Sequence, residues 1–173
     1  MLSNSAIKLR ALEPDDLDFL FSIENQTEYW HLSDTLQPFS KHILQQYLDQ
    51  AHLDIYEAKQ LRLVIANQKD NPLGLIDLYD FNPKHKRAGL GIILHQNYQG
   101  KGFGKTAINL MLNYAFDTLD LHQVHVTINS ENINSIKLFE LLGFQLIGEQ
   151  KDWNYSKGNY YSQYFYQKIN HVH

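Results

Sequence analysis

Cysteine is absent from this chain of 173 residues, which excludes disulfide bonds, thiolate catalysis and cysteine-based zinc sites. Long apolar runs are also lacking, since no stretch approaches the roughly 18 residues typical of a membrane-spanning helix. The N-terminus carries no basic segment followed by an apolar core. We therefore expect a soluble, cytoplasmic protein with no membrane partner.

Strong charge and a convincing metal-binding set are lacking as well. The formal net charge of −4 gives no electrostatic reason to expect nucleic acid as a partner, and mild acidity suits a cationic substrate. Among the nine histidines, His122 and His125 flank the start of a predicted strand with a spacing that points them to opposite faces. We expect no metal site.

Length and composition favour a single domain over residues 1–170, followed by a short tail at 171–173. Internal repeats, low-complexity tracts and inter-domain linkers are lacking. Strand and helix patterns interleave, and the middle strands follow one another through short turns. This pattern predicts a mixed α/β sheet.

Several element boundaries follow from local signals. Ser40 is predicted to cap a helix, after a segment 26–39 that shows no regular pattern. A long helical pattern is predicted to begin near Thr106. Ser130 is predicted to cap a short helix that buries Ile133 on its apolar face.

Residues 99–105 lie between an apolar run and that long helical pattern, and they are rich in glycine. A strand, a glycine-rich turn and a helix in this order form a phosphate cradle, because glycine tolerates positive φ and lets successive N–H groups point at one anion. The first helical turn adds donors and a partial positive charge. Lys101 and Lys105 supply mobile positive charge beside it.

Spacing decides which phosphate ligand fits. A Walker A loop needs glycine at the position of Gln99, so a nucleotide hydrolase is disfavoured. A dinucleotide fingerprint reads G-x-G-x-x-G, whereas this loop reads Gly100-x-Gly102-x-Gly104. The remaining pattern, Gln-x-x-Gly-x-Gly, resembles the pyrophosphate loop of the GNAT acetyltransferases, which hold acetyl-CoA. A glycine-rich turn without a ligand is the alternative.

A second motif strengthens this resemblance. Residues 132–144 are similar to the family pattern Asn-x-x-Ser/Ala-x-x-Leu-Tyr/Phe-x-x-x-Gly-Phe. Residues 7–16 and 158–160 resemble the RimJ/RimL-like branch, in which the nearest similarity is to bacterial spermidine N-acetyltransferases, particularly at 74–82 and 87–88. The resemblance covers essentially the whole chain. It implies a mixed, mostly antiparallel central sheet of six to seven strands flanked by about four helices.

The resemblance also implies direct transfer of acetyl from acetyl-CoA to an amine. The strand that ends at Leu94 would align the pantetheine, and Asn132 would either help to hold the cofactor or act only as a helix cap. Phe139 would either contact the cofactor or pack in the core. The predicted cofactor-binding residues are Ile92, Ile93, Leu94, Gln99, Gly100, Lys101, Gly102, Phe103, Gly104, Lys105, Asn132 and Phe139.

The leaving thiolate needs a proton, and here the chain departs from its relatives. Spermidine acetyltransferases place a tyrosine at the position of Phe139, and phenylalanine cannot donate a proton. Ser135 matches a serine of the ribosomal-protein-like branch, so we expect it to contact the thioester sulfur, with a purely structural hydroxyl as the alternative. Solvent is a third proton source, since a thiol has a pKa of about 8.5.

The amine must lose a proton, and the expected acid is missing, because Gly89 stands where the relatives carry one. Asp77 is the predicted catalytic base, and Asp80, Glu24 and Glu28 are the other candidates. Asp77 and Asp80 have opposite parity along a strand, so at most one is expected to face the site. The alternative for each is a solvated acid at a strand edge.

The acceptor cleft is predicted from acids and from aromatic rings, whose faces suit an alkylammonium chain. Trp30 alternatively covers the edge of the core. The predicted acceptor-binding residues are Glu28, Tyr29, Trp30, Asp77, Tyr79 and Asp80.

Three functions compete at this point. An acetyl-CoA-dependent N-acetyltransferase with a polyamine or diamine acceptor leads, and protein N-terminal or lysine amines are the alternative acceptors. The missing general acid and base favour a different class, a non-catalytic acyl-CoA-binding regulatory module. The resemblance further implies a homo-oligomer.

Overall fold

Seven strands form one sheet in the computed structural model, which describes residues 2–171. Their order across the sheet is β1-β2-β3-β4-β5-β7-β6. β4 and β5 run parallel, whereas the other neighbouring strands pair antiparallel. The strands are β1 (Ile7–Arg10), β2 (Leu61–Asn67), β3 (Pro72–Asn82), β4 (Arg87–Leu94), β5 (Gln123–Asn129), β6 (Gln145–Ser156) and β7 (Asn159–Ile169).

Four longer helices and two single-turn helices accompany the sheet in the described part of the chain, so the predicted mixed, mostly antiparallel architecture is confirmed. The helices are α1 (Leu17–Glu24), α2 (Trp30–Ser33), α3 (Lys41–Asp49), α4 (Ile55–Ala58), α5 (Phe103–Asn113) and α6 (Ile133–Leu141). Short 3₁₀ turns cover Pro14–Asp16, Thr27–Tyr29 and Gln96–Tyr98, and a π-helical turn over Tyr114–Thr118 extends α5.

The two faces of the sheet bury separate apolar clusters. The larger one lies under α5 and α6, where Ile108, Met111 and Phe139 pack against alternate residues of the strands. The smaller one lies on the opposite face, where α1 and α3 bring Leu20 and Leu44 onto β2 and β3. The second face is therefore covered by helices at the β2 and β3 end of the sheet.

Two helix ends carry clear local sequence signals. Ser40 caps α3, since its hydroxyl accepts from the Ile43 amide at 3.2 Å. Gly143 follows α6 with φ of 82°, which is the role of a glycine after a helix. Segment 26–39 was predicted to be irregular, but it contains the 3₁₀ turn at Thr27–Tyr29 and α2.

The start of α6 corrects one prediction. Asn132, not Ser130, is its N-cap, and the Asn132 side-chain oxygen accepts from the Ser135 amide at 3.2 Å. Ser130 instead continues the pairing of β5 with β7 by one residue, because its amide donates to the Ser162 carbonyl at 2.9 Å. Ile133 was predicted to be buried and is 51% exposed.

The predicted division into residues 1–170 and a tail at 171–173 stays a prediction. Met1, Val172 and His173 lie outside the described residues.

Candidate functional site

The parallel strands β4 and β5 pair over only three positions and then part. Arg87, Ala88 and Gly89 lie opposite Gln123, Val124 and His125, and the recorded pairing ends there. β4 continues to Leu94 and β5 continues to Asn129. Across residues 2–171, no strand fills the gap between them. The facing backbone edges can therefore pair with an extended, amide-containing ligand.

The glycine-rich turn lies at the end of β4 that borders this gap. Gly100 and Gly102 adopt φ of 71° and 84°, the left-handed region that favours glycine. A side chain at either position would meet nothing within 4 Å in the described part of the chain, so the space above the turn is open. An anion can approach this backbone closely.

Helix α5 begins at Phe103, so the predicted start near Thr106 is wrong. Gly102 is the N-cap, and both the amide and the hydroxyl of Thr106 donate to the Gly102 carbonyl. Gly104 and Lys105 therefore belong to the first helical turn. Because Gly102 has no side chain to cap this turn, its N–H groups and its partial positive charge are offered to a ligand.

Two lysines flank this helix start. Lys101 and Lys105 are exposed, and the Lys101 ammonium lies 5.8 Å from the centre of the Tyr98 ring. Together with the turn they form a cationic, N–H-rich cradle that suits a diphosphate.

The carbonyl oxygen of Leu94 is engaged inside the chain. It accepts from the Tyr29 hydroxyl at 3.1 Å and from the Gln99 side-chain amide at 2.9 Å. The last carbonyl of β4 therefore holds the turn and the Thr27–Tyr29 segment together. Burial raises the pKa of Tyr29, which keeps its hydroxyl a proton donor.

The remaining predicted cofactor residues take varied positions. Ile92 packs on the larger cluster and Ile93 on the smaller one. Phe139 is only 4% exposed and packs edge-on against Phe144 at 5.1 Å, which fits the core-packing alternative. Asn132 acts as a helix cap, and its predicted cofactor contact stays a prediction. Ser135 is half-buried on the first turn of α6.

Asp77 forms a charge cluster that sequence reasoning missed. Both of its carboxylate oxygens accept from Arg62, at 2.7 and 3.0 Å, and Glu24 accepts from Arg62 at 2.7 Å. The Tyr47 ring lies 5.5 Å from the guanidinium. This pairing competes with any proton that Asp77 would take from an amine, so it counts against the predicted catalytic role.

Arg62 stays charged in this cluster. Burial by itself would lower the pKa of its guanidinium, but the charge and hydrogen bonds of Asp77, with a contribution from Glu24, outweigh burial and raise the pKa. The cluster links α1, β2 and β3 through the side chains of Glu24, Arg62 and Asp77. A lone arginine at a polar strand position was its only sequence signal.

Tyr79 lies directly over Gly89. A side-chain carbon added at Gly89 would come within 2.3 Å of the Tyr79 ring. The ring therefore fills the space above this residue of β4. Burial raises the pKa of Tyr79, against an opposing interaction with the Thr127 side chain. The lack of an acidic side chain at position 89 therefore fits the structure, because the Tyr79 ring occupies the space that such a side chain would need.

The other predicted acceptor residues lie on separate elements. Glu28 is exposed, and Trp30 donates its ring N–H to the Glu24 carbonyl at 2.9 Å. Asp80 is exposed and adopts φ of 49° where the pairing of β3 with β4 shifts register. The expectation that at most one of Asp77 and Asp80 faces the site stays a prediction.

Two features are absent from residues 2–171. No helix in this range is long and apolar enough to cross a membrane. No group of three or more histidine, aspartate or glutamate side chains in this range is arranged to hold a metal ion.

The sequence and the structure both match known proteins. The family model for the acetyltransferase (GNAT) domain matches residues 6–145. A spermidine N(1)-acetyltransferase of Vibrio cholerae is 32% identical over 160 residues, which cover 91% of this chain and 89% of the relative.

Solved structures agree with this match. The spermidine N-acetyltransferase of Vibrio cholerae in complex with CoA and spermine superposes with a TM-score of 0.87 at 29% identity, covering 96% of each chain. A dodecameric structure of spermidine N-acetyltransferase from the same organism gives a TM-score of 0.81 at 31% identity, covering 96% of this chain and 95% of that one.

Proposed function

Since this chain belongs to the GNAT acetyltransferase family, we propose that it acetylates a polyamine such as spermidine. Its membership makes it an acetyl-CoA-dependent N-acetyltransferase, so the proposal concerns the acceptor and the residues that serve the reaction. The gap between β4 and β5, which ends at a glycine-rich turn and the uncapped start of α5, supports acetyl-CoA binding, and the spermidine N(1)-acetyltransferase relative supports the polyamine acceptor.

The residues around this gap fit the parts of acetyl-CoA. Alternate residues of β4 face the gap, so the backbone groups of Ile92 suit the pantetheine amides, whereas Ile93 faces its partner strand β3. The Leu94 carbonyl is already occupied by Tyr29 and Gln99. N–H groups of residues 99–104 and the first turn of α5 suit the diphosphate. When bound, acetyl-CoA supplies the activated acetyl group.

The acceptor side favours a cation. Tyr79 supplies an aromatic ring over Gly89, where the pairing of β4 with β5 ends. Asp80 and Glu28 are exposed acids and belong to the predicted acceptor-binding residues. The net charge of −4 adds a weak general attraction. The relatives of known activity act on spermidine, which is why a polyamine is preferred to a protein amine.

Proton transfer to the leaving thiolate is assigned to Ser135 or to solvent. Ser135 lies on the first turn of α6, which follows β5 beyond the gap. We expect Ser135→Ala to lower turnover if the hydroxyl reaches the sulfur. Full turnover in that variant would leave solvent as the proton source.

Release of CoA thiol from acetyl-CoA, measured with a panel of amines, tests the acceptor. We expect release that depends on spermidine or spermine and exceeds release with an N-terminal or lysine-containing peptide. Preference for a peptide would replace the polyamine with a protein acceptor. CoA binding by calorimetry with no amine-dependent release would favour the non-catalytic acyl-CoA-binding module, for which Gly89 and Phe139 are the motivating residues.

Three further predictions complete this proposal. A homo-oligomer is supported by the dodecameric relative and is testable by light scattering. Membership of the RimJ/RimL-like branch and a cytoplasmic location stay predictions from the sequence.

A further inference from the structure

His125 occupies a special position in the sheet. It is the last residue of β5 that pairs with β4, and its partner there is Gly89. The gap between the two strands therefore opens immediately beyond it. A side chain at this position borders the place where the proposed function brings the thioester and the amine together.

Aromatic rings hold the His125 imidazole in place. Phe165 stacks on it at 5.2 Å with an angle of 20° between the planes, and Tyr79 meets it edge-on at 6.0 Å. These contacts fix the ring plane without using a ring nitrogen. The imidazole is oriented by packing.

The Nδ1 atom of His125 is buried and has no hydrogen-bond partner among the described residues. Buried polar atoms are normally paired, because leaving one unpaired sacrifices its interaction with water. A ligand that donates an N–H group to this nitrogen would relieve the deficit. A protonated or neutral amine is such a donor.

The neighbouring positions offer little competition for this role. Gly89 has no side chain, and the Tyr79 ring excludes one, since an added carbon would lie 2.3 Å from that ring. Asp77 of β3 is held by Arg62, and Asp80 is exposed where β3 shifts register. An imidazole is the side chain whose ordinary pKa best suits proton acceptance near neutrality.

We propose that His125 accepts the proton of the substrate ammonium and so generates the nucleophilic amine. This inference rests on the proposed function. In the step, the neutral imidazole takes one proton from the ammonium, directly or through one water, and becomes imidazolium. The amine lone pair then forms the N–C bond to the acetyl carbonyl carbon while the C–S bond breaks. The second nitrogen proton goes to the leaving thiolate or to solvent, and the imidazolium returns its proton to water.

The charges around His125 are few. Burial lowers its pKa, Asp80 from β3 opposes that shift and Arg87 from β4 reinforces it. Tyr79 is neutral at pH 7, since a tyrosine pKa ordinarily lies near 10 and burial raises it further, and β7 contributes Phe165 and the uncharged Gln167. The net direction is downward, so the imidazole is neutral and able to accept a proton at pH 7. Its acceptor function is lost as the pH falls through this lowered pKa.

The decisive experiment compares pH profiles of kcat and kcat/KM with spermidine as acceptor for the wild type, His125→Gln and His122→Gln. His122 is exposed just before the same strand and serves as the matched control. We expect His125→Gln to lower kcat about 10²–10⁴-fold, to retain CoA affinity, and to lose the acidic limb of the profile that reports the imidazole. The control variant should keep the wild-type profile. A His125→Gln profile with the same acidic limb and kcat within about threefold of wild type overturns the proposal.

A second measurement avoids dependence on the variant's folding. NMR titration of the histidine rings in the wild-type protein with CoA should show a His125 pKa that falls further when spermidine is added, because a nearby cation disfavours the imidazolium. An unchanged His125 pKa with spermidine bound overturns the proposal. A wild-type protein that acetylates no amine contradicts the proposed function instead, so the two failures are distinguishable.

Discussion

The Tyr29 hydroxyl donates to the Leu94 carbonyl across 3.1 Å and thereby joins the segment before α2 to the end of β4. The Gln99 side chain donates to the same oxygen at 2.9 Å. One carbonyl thus connects the predicted acceptor side to the predicted diphosphate turn. We therefore expect a substitution at Tyr29 to affect the diphosphate turn, and a substitution at Gln99 to affect the acceptor side.

Tyr29→Phe tests this connection. We expect a loss of about 1 kcal/mol in the free energy of unfolding, the typical value of one hydrogen bond, and a raised KM for acetyl-CoA because the turn is less firmly held. Urea unfolding and initial-rate kinetics measure the two effects. Tyr160→Phe is the matched control, since Tyr160 is 64% exposed at the start of β7. Equal effects of the two substitutions would contradict the prediction.

Gly102→Ala tests the diphosphate cradle. Alanine at φ of 84° costs about 1–2 kcal/mol in backbone strain, and its methyl group enters the space where the diphosphate is expected. We expect CoA to bind at least tenfold more weakly, measured by titration calorimetry.

Gly148→Ala supplies the control for that substitution. Gly148 lies in β6, and an added carbon there meets nothing within 4 Å among the described residues. Its CoA affinity should equal that of the wild type. Unchanged CoA affinity in a folded Gly102→Ala protein would remove the turn from the binding site.

Motifs and periodicity predicted the strands, the longer helices and the glycine turn because these depend on local signals. Gly100 and Gly102 favour a turn with positive φ, so this turn could be predicted from the sequence alone. The helix start at Phe103 was less accessible, because a glycine N-cap leaves no side-chain signal.

The candidate site was harder to predict, since it depends on contacts between distant residues. Arg62 and Asp77 lie on different strands, and only their register in the sheet brings them together. The space above Gly89 is likewise filled by Tyr79 from the neighbouring strand. From the sequence alone, His125 is considered only as a possible metal ligand, and that role is rejected. Its position at the end of the β4 and β5 pairing depends on strand register, which the sequence does not show.

Asp77→Asn separates a structural role from a catalytic one. If the carboxylate mainly pairs with Arg62, the variant should lose about 2 kcal/mol of stability, the scale of hydrogen bonds to a charged group, and turn over within a few-fold of the wild-type rate. Asp117→Asn, at an exposed position, should change neither quantity. Turnover that falls by about two orders of magnitude or more at unchanged stability would restore Asp77 as the catalytic base.

Asp16→Asn probes the ion pair that anchors the start of the chain. Asp16 is 4% exposed, and both of its oxygens accept from Arg10, at 2.8 and 2.9 Å. Burial alone would raise the pKa of Asp16, but the hydrogen bonds from Arg10 and the Glu13 amide outweigh it and lower the pKa. A lowered folded-state pKa means that ionised Asp16 stabilises the fold.

The sign of the pH dependence follows from that shift. The contribution of Asp16 is complete above the ordinary aspartate pKa of about 3.9 and is lost as the pH falls through the lowered folded-state value. We expect Asp16→Asn to cost about 3 kcal/mol at pH 7, because it removes the buried carboxylate that pairs with Arg10 and leaves that guanidinium only the exposed Asp70 at 3.4 Å, and progressively less at more acidic pH. Urea unfolding across pH 2–7 measures the difference. Asp18→Asn, which breaks an exposed pair with Lys41, should cost less than about 1 kcal/mol. A pH-independent difference between wild type and Asp16→Asn would show that the ion pair is not what stabilises this corner.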